Sequence, residues 1–571
     1  MPQWTTNMKL FTDEIVRRLQ KVLDMDAAEI EGLLQAPMDT SMGDCSLPCF
    51  KLAKTLRKAP PLIAEELAEG IEKGPPFEKI EPVKGYLNFF VARGALAEAV
   101  LTQVLEQGEH YGESDAGKGK AVVMDYSSPN IAKPLGIHHI RGTMIGNALY
   151  RIFKVLGYTP VGLNYLGDWG TQFGQLMVSY KRREDELSSG DITVKELLDL
   201  YVEFHNESDE DRLDDEARAW FKKLEDGDPE AVSLWEKFRE ESLKEFQRVY
   251  DRLGVTFDSY VGESGFIKES QDVIRRMEEA GVAVESEGAT VVDLEDYDMP
   301  PCLLQKKDGT TLYATRDVAA AEYRHETYKF DQLLYVVGSQ QKLHFRQVFK
   351  VLELMGYTWA GRCRHVDFGM LSFTGGTFST RRGKILFLED VLDGAVELAR
   401  KIIDEKNPTL ENKDEVAEMV GVGAVIFGDI KHRRNKDIVF DWDTALNFDG
   451  ETGPYLQYSW VRLGGILRKY GEELPQTADL SLLTADEERS LITLLGDFPR
   501  QIRRAAEQYE PSIIATYLLD LAGTFNTFYQ KHRVISDDKD LTAARLLLVS
   551  ALRTVIRKGL DLLGIKCPER M

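Results

Sequence analysis

From residue 121 onward, short apolar runs with strand character alternate with helical patterns. The run "AVVMDYS" precedes a helix through "HIRGTMIGNALYRIFKVLG", and "YTPVGLNYLG" precedes a helix beginning at "TQFGQLMVSYKRR". The alternation resumes in "QLLYVVGS", the helix "HFRQVFKVLELMG" and the strand "HVDFGML". A chain that repeats strand and helix in this way builds a parallel sheet covered by helices on both faces, an α/β doubly wound fold. Residues from about 180 to 260 interrupt the pattern with acidic amphipathic helices such as "DEARAWFKKLEDGD" and "SLWEKFREESLKEFQRVYDRLG", which predict an insertion beside the sheet.

The flanks differ in kind. Up to residue 112 the periodicity predicts an α+β domain, with helices near 10–24 and 60–73, a strand in "KGYLNFFVA" and a helix to about 107. The Gly-rich stretch "GESDAGKGK" reads as the boundary to the sheet domain, residues 113–440. Residues 441–571 are helical almost throughout, with breakers at "DGETGP", "GEELPQ" and "YEPS", and predict an all-α bundle. Three domains suit a 571-residue chain.

Bulk properties exclude several classes. No apolar run is long enough to cross a bilayer, and the N-terminus lacks a signal-peptide layout, so a cytoplasmic protein with no membrane role is expected. Five scattered cysteines give neither paired CxxC clusters nor a disulfide framework. A net charge of −23 argues against indiscriminate coating of nucleic acid. It leaves room for a local basic face such as "KHRRNK", Lys431 to Lys436, which also reads as a solvated charged loop.

Ligands of open α/β sheets collect beyond the carboxyl ends of strands, and phosphates favour the helix N-terminus that follows. The segment "VVMDYSSPNIAKPLGIHHIRG" sets Asn130, Lys133, His138 and His139 in that crevice. Adjacent histidines on a helix point in different directions and no third ligand is spaced nearby, so no metal site is expected. Tyr313 and Asp317 of "YATRD" share a helical face. Tyr455, Tyr458 and Arg462 form another such stripe, either core or a platform for bases.

Taken together, "SSPNIAKPL" with its histidines, "NYLGDWGTQFG", "TLYATRDVAAA", "YVVGSQQKLHF" and the ending "LLGIKCPERM" resemble the arginyl-tRNA synthetases, class I aminoacyl-tRNA synthetases. The likeness covers nearly the whole chain. It implies a Rossmann-type catalytic domain, an N-terminal domain that reads the tRNA elbow and a helical anticodon-binding bundle. It also implies arginine, ATP with Mg2+ and tRNA(Arg) as substrates and partners of a monomer. Activation through an arginyl-adenylate would involve positioning and electrostatic stabilisation, without a covalent enzyme intermediate.

Residue by residue, the resemblance assigns arginine to Asp125, Asn130, Tyr313, Asp317 and Gln341, with Asp125 standing where the family more often has Glu. It assigns ATP to His139, His344, Gln347 and the backbone at Met370 and Leu371. Catalysis falls to Lys133, His138 and His139, and to Ser379 and Arg381 of the loop "TFSTRRGK". That loop lacks both signature lysines, and Lys133 matches the residue thought to replace the missing charge. The implied RNA contacts are Asn88, Phe90, Tyr455, Tyr458 and Arg462.

One departure stands out. The family's first signature is His-x-Gly-His, whereas this chain reads "GIHH", with Gly136 for the first histidine and His138 for the glycine. An imidazole at His138 must either turn aside or alter the nucleotide pose, because the glycine gives adenine its clearance. Two outcomes are weighed: an active ligase with a rebuilt imidazole site, or a paralogue without ligase activity that acts as an RNA-binding or regulatory protein. A synthetase for another amino acid is disfavoured by Tyr313, Asp317 and Gln341 together.

Overall fold

The computed structural model describes residues 6–37, 42–187, 192–207, 211–307, 311–373, 387–440, 445–447 and 450–571. Its centre is a four-stranded, all-parallel sheet in the order Cys363–His365, Gln332–Tyr335, Ala121–Asp125, Thr159–Leu163. Side chains of the inner strand alternate between two cores, as a period of two requires. Val122 and Met124 pack with Ile140, Met144 and Ile152 of the helix His139–Val155. Val123 faces the other way, into Val318 of the helix Tyr313–Tyr328 and Val348 of Lys342–Leu354. Both faces being buried explains why these strands read as unbroken apolar runs. The connections leave Ala121–Asp125 and Gln332–Tyr335 in opposite directions, so the ligand crevice lies above Asp125 and Tyr335.

The expected strand "HVDFGML" is two. Cys363–His365 forms the sheet edge, while Leu371–Phe373 leaves it and pairs in parallel with Ile438–Phe440. The break is at Gly369, whose amide donates to the Arg434 carbonyl. A Cβ there would come within 2.5 Å of the Lys436 carbonyl oxygen, so glycine lets the "KHRRNK" loop close against this turn. Arg141 seals the junction. Its side chain, 1% exposed, donates to the carbonyls of Gly369 (3.0 Å), Lys436 (2.7 Å) and Arg434 (3.1 Å), and its Nε lies 3.0 Å from the equally buried Asp429. Burial pushes the Asp429 carboxyl up to about 6, and Arg141 opposes that shift. The basic loop is therefore built into the fold through its backbone.

The insertion is helical, as its periodicity indicates: Val194–Glu207, Asp211–Glu225 and Pro229–Leu253 follow Thr171–Arg182. Asp228 caps the longest of these by accepting from the amides of Glu230 and Ala231, Pro229 opens it, and Gly254 ends it at φ 65°. A small antiparallel sheet, Val284–Ser286, Ala289–Val292 and Cys302–Gln305, was not foreseen. Its strands are only three or four residues long, too short to show a periodic pattern.

In the N-terminal part the strands Cys45–Pro48, Tyr86–Val91 and Phe77–Val83 form an antiparallel sheet. The helices expected near 10–24 and 60–73 run over Thr6–Leu19 and Pro60–Gly70. The C-terminal bundle consists chiefly of Gly453–Tyr470, Asp486–Gln508, Ser512–Lys531 and Lys539–Leu562. Arg489 of the bundle binds Asp44 at 2.8 Å, and Tyr111 donates to the Leu495 carbonyl at 2.9 Å, joining the two ends of the chain.

Arg141→Met should cost about 3–5 kcal/mol, because it strands the Asp429 carboxylate without its counter-charge. Urea unfolding followed by tryptophan fluorescence reads this; a loss below about 1 kcal/mol would refute a locking role for the pair.

Candidate active site

The loop after Ala121–Asp125 departs from ordinary backbone. Ser127 (φ 75°), Ser128 (φ 50°) and Ala132 (φ 62°) all adopt left-handed conformations that non-glycine residues rarely take. Such strain persists only where surroundings enforce it. Here the enforcement is explicit. The Ser128 amide donates to Asn164 Oδ1 (3.1 Å) and its hydroxyl to Asp125 (2.9 Å); the Ala132 amide donates to Ser242 Oγ (2.9 Å). Ser127 exchanges a hydrogen bond with the Tyr250 hydroxyl at 2.7 Å and accepts one from Thr143. Ser242 and Tyr250 both belong to Pro229–Leu253, so the insertion braces the site loop.

His138 and His139 do not cap the helix that they begin. His139 Nδ1 lies 3.1 Å from both the amide nitrogen and the carbonyl oxygen of Gly136; when the amide donates, the remaining ring proton sits on Nε2. Burial lowers the basicity of both imidazoles, and the neighbouring His138 lowers that of His139 further, so both are neutral near pH 7. The ring of His138 turns aside. It folds back over Gly136, where a Cβ would meet its Cε1 at 2.5 Å and its Nδ1 at 2.7 Å. The imidazole from position 138 thus occupies the space into which a side chain at 136 would project. The two rings lie 4.0 Å apart.

The carboxylates divide into internal and outward-facing groups. Asp125, expected to meet arginine, is 4% exposed and pairs with Arg324 at 2.7 Å. Arg324 is itself flanked by the rings of Tyr165 and Tyr335 at 5.1 and 5.3 Å. The shorter Asp125 side chain is therefore held by an internal guanidinium. Asp317 remains near the crevice, with His344 Nε2 2.5 Å from its Oδ2. Asn130, Tyr313 and Gln341 are exposed there. Two neighbours went unnoticed in the sequence. Glu263 pairs with Arg316, whose guanidinium covers the Tyr313 ring at 4.9 Å; burial, with the nearby Asp317 and Asp168 adding to it, pushes the Glu263 carboxyl up to about 7 against the pull of Arg316. The buried Tyr165 hydroxyl, close to Asp317 and Glu263, has no hydrogen-bond partner among the described residues. Their signal was only a Glu in "GESGF" and a Tyr in "NYLG", unremarkable until the chain brings them beside Asp317.

The residues matched to ATP have partners within the chain. His344 faces Asp317, the expected guanidinium acceptor. Gln347 donates its amide to the Pro300 carbonyl at 2.8 Å. The Met370 amide donates to Asp437 and its carbonyl accepts from Ile438, and Leu371 pairs with Ile438, so this backbone is already engaged. Lys133 is half-buried. Ser379 and Arg381 lie outside the described residues.

The RNA expectations fare unevenly. Asn88 is 1% exposed and accepts from Ser46 at 2.5 Å, so the cross-strand pairing that builds the sheet hides it. Phe90 is half-buried, with the Lys79 ammonium 5.2 Å from its ring. Tyr455, Tyr458 and Arg462 line a cavity of about 490 Å³ with Asn526 and Gln530. Asn526 fixes the cluster by donating to Tyr455 and accepting from Arg462, both at 2.7 Å.

Comparisons with known proteins bear on this geometry. Residues 100–442 match the class I (R) tRNA synthetase catalytic domain, 456–571 the DALR anticodon binding domain, and 9–91 the arginyl-tRNA synthetase N-terminal domain. The arginine–tRNA ligase of Halothermothrix orenii is 50% identical over 97% of this chain and 98% of its own. That of Clostridium botulinum is 49% identical over 98% of this chain and 100% of its own. The chain belongs to the arginyl-tRNA synthetases. The solved arginyl-tRNA synthetase of Thermus thermophilus superposes with a TM-score of 0.80 at 27% identity, over 99% of this chain and 100% of that one. An arginyl-tRNA synthetase fold accounts for a crevice that sets carboxylates on one side and imidazoles on the other.

Glu263 is neutral below about 7 and charged above it, so guanidinium affinity should rise with pH, roughly tenfold between pH 6 and pH 8. Calorimetric titration with arginine checks this. Glu263→Gln should remove the rise, and an unchanged slope in that variant would clear Glu263 of the effect.

Proposed function

We propose that this chain ligates L-arginine to tRNA(Arg) with ATP, releasing AMP and pyrophosphate. In the first step a carboxylate oxygen of arginine bonds to the α-phosphorus while the bond to the β-phosphate breaks. In the second, a terminal ribose hydroxyl of the tRNA attacks the arginyl carbonyl and AMP leaves. The observation that carries this reading is the pairing of Asp317 and Glu263, which suit a planar guanidinium, with neutral imidazoles at a helix N-terminus, which suit phosphate.

Asp317, Glu263, Tyr313 and Gln341 hold the guanidinium side of the substrate, and Asn130 its polar head. His139 donates Nε2–H to the nucleotide, and Lys133 supplies positive charge to the phosphates. His138 supplies the imidazole that the family takes from the first signature position, and its fold-back over Gly136 keeps clearance for adenine. Mg2+ is assigned to the ATP phosphates. The groove at Tyr458 and Arg462 offers stacking planes for anticodon bases. We assign residues 1–112 to the tRNA elbow, 113–440 to catalysis and 441–571 to the anticodon, in a cytoplasmic monomer.

Pyrophosphate exchange into ATP should require both arginine and tRNA(Arg). Exchange with arginine alone would reject the tRNA requirement, and exchange driven by another amino acid would reject the substrate.

A histidine relocation test follows. His138→Gly should lower kcat about 100-fold by removing a preorganised donor. Adding Gly136→His to it should restore most of the loss, because the imidazole returns to the same space from the other position. A gain from His138→Gly alone would mean that the native order impairs the site.

A further inference from the structure

The proposed reaction places particular demand on Lys133, since both lysines of the second signature are absent and Lys133 matches the residue thought to replace the missing charge. A lysine on a flexible four-carbon stem pays a large entropy cost to be held in one place. An acidic partner would hold it but would cancel the charge needed at the phosphates. Among the described residues, Lys133 has no ion pair. Its ammonium instead lies over the ring of Tyr201, 4.3 Å from the centroid.

Tyr201 comes from the insertion, on the helix Val194–Glu207. Leu197, Leu200 and Phe204 bury the adjacent stripe of this helix at 0%, 1% and 2% exposure, so the helix is anchored and the ring has a fixed position. His205 packs against the same ring at 4.2 Å and bonds the Tyr201 carbonyl through Nδ1 at 2.8 Å. An aromatic face attracts a cation through its quadrupole without neutralising it.

We infer that Tyr201 is a positioning residue for the reaction: the insertion presents its ring to hold the Lys133 ammonium, still fully charged, at the mouth of the phosphate site. The insertion then contributes to adenylate formation without touching a substrate. This inference rests on the ligase reading for its consequence, while the contact itself stands apart from that reading.

The test has two arms on the full-length protein. In the first, lysine is labelled with 13C at Cε, and the Lys133 signal is identified by its loss in Lys133→Arg. Ring-current shielding should displace that signal upfield; Tyr201→Leu should return it to the position of exposed lysines, and Tyr201→Phe should keep it displaced. In the second arm, arginine- and tRNA-dependent pyrophosphate exchange should fall about 2- to 30-fold in kcat for Tyr201→Leu. Tyr201→Phe should retain the wild-type rate, and in a Lys133→Ala background Tyr201→Leu should cost nothing further. A Lys133 signal without displacement overturns the inference, as does an equal loss from Tyr201→Leu in both backgrounds. A wild type that exchanges without arginine dependence overturns the ligase reading instead, and the lysine signal still decides the contact.

Discussion

A single guanidinium holds the two halves of this active site in register. Arg141 sits two residues beyond His139 and is sealed from solvent together with Asp429. Its N–H groups reach the carbonyls of Gly369, Arg434 and Lys436, which lie at the root of the second signature segment. A planar fork of donors suits this arrangement, because one rigid group binds several backbone acceptors that no secondary structure satisfies. The Asp429 carboxylate supplies the counter-charge but accepts no hydrogen bond from the described residues, which is consistent with its raised pKa. The pair fixes the spacing between the imidazoles and the turn that leads into the strand Leu371–Phe373.

A second set of constraints comes from the insertion. Ser242 and Tyr250 hold two of the three left-handed residues, Ala132 and Ser127, and Tyr201 reaches Lys133 from a neighbouring helix. Strained backbone at a binding loop has to be over-determined by its surroundings. Here the surroundings are supplied by a segment that interrupts the sheet domain in sequence, which accounts for the insertion packing beside the site. The acidic surface of the same helices, including Glu240, Glu241 and Lys244 in exposed pairs, adds little to stability and keeps that face solvated.

Arginine recognition is likewise split. Arg324 takes the innermost carboxylate, Asp125, and Arg316 pairs with Glu263, while Asp317 sits beside His344 nearer the crevice. Internal guanidinium partners follow from stacking carboxylates in a poorly solvated space, where each uncompensated charge is expensive. The elevated pKa of Glu263 reflects the same congestion.

What the sequence determined by itself was everything local and periodic. Apolar runs with both faces buried marked the parallel strands, 3.6-residue stripes marked the insertion and the bundle, and the order of motifs marked the family and the crevice. Partners chosen across long separations were decided by tertiary structure. Asp125 meets Arg324 across 199 positions, and Arg141 meets Gly369 across 228, contacts that no spacing rule encodes. Asn88 was legible as a strand residue but not as a buried one, because the pairing with Ser46 comes from another strand. The fate of "GIHH" belongs to the same class. The letters place an imidazole in the glycine position, and only the fold, by leaving room above Gly136, turns that ring back into the place of the missing side chain. Local pattern fixes where a side chain starts; packing and burial of charge fix where it ends.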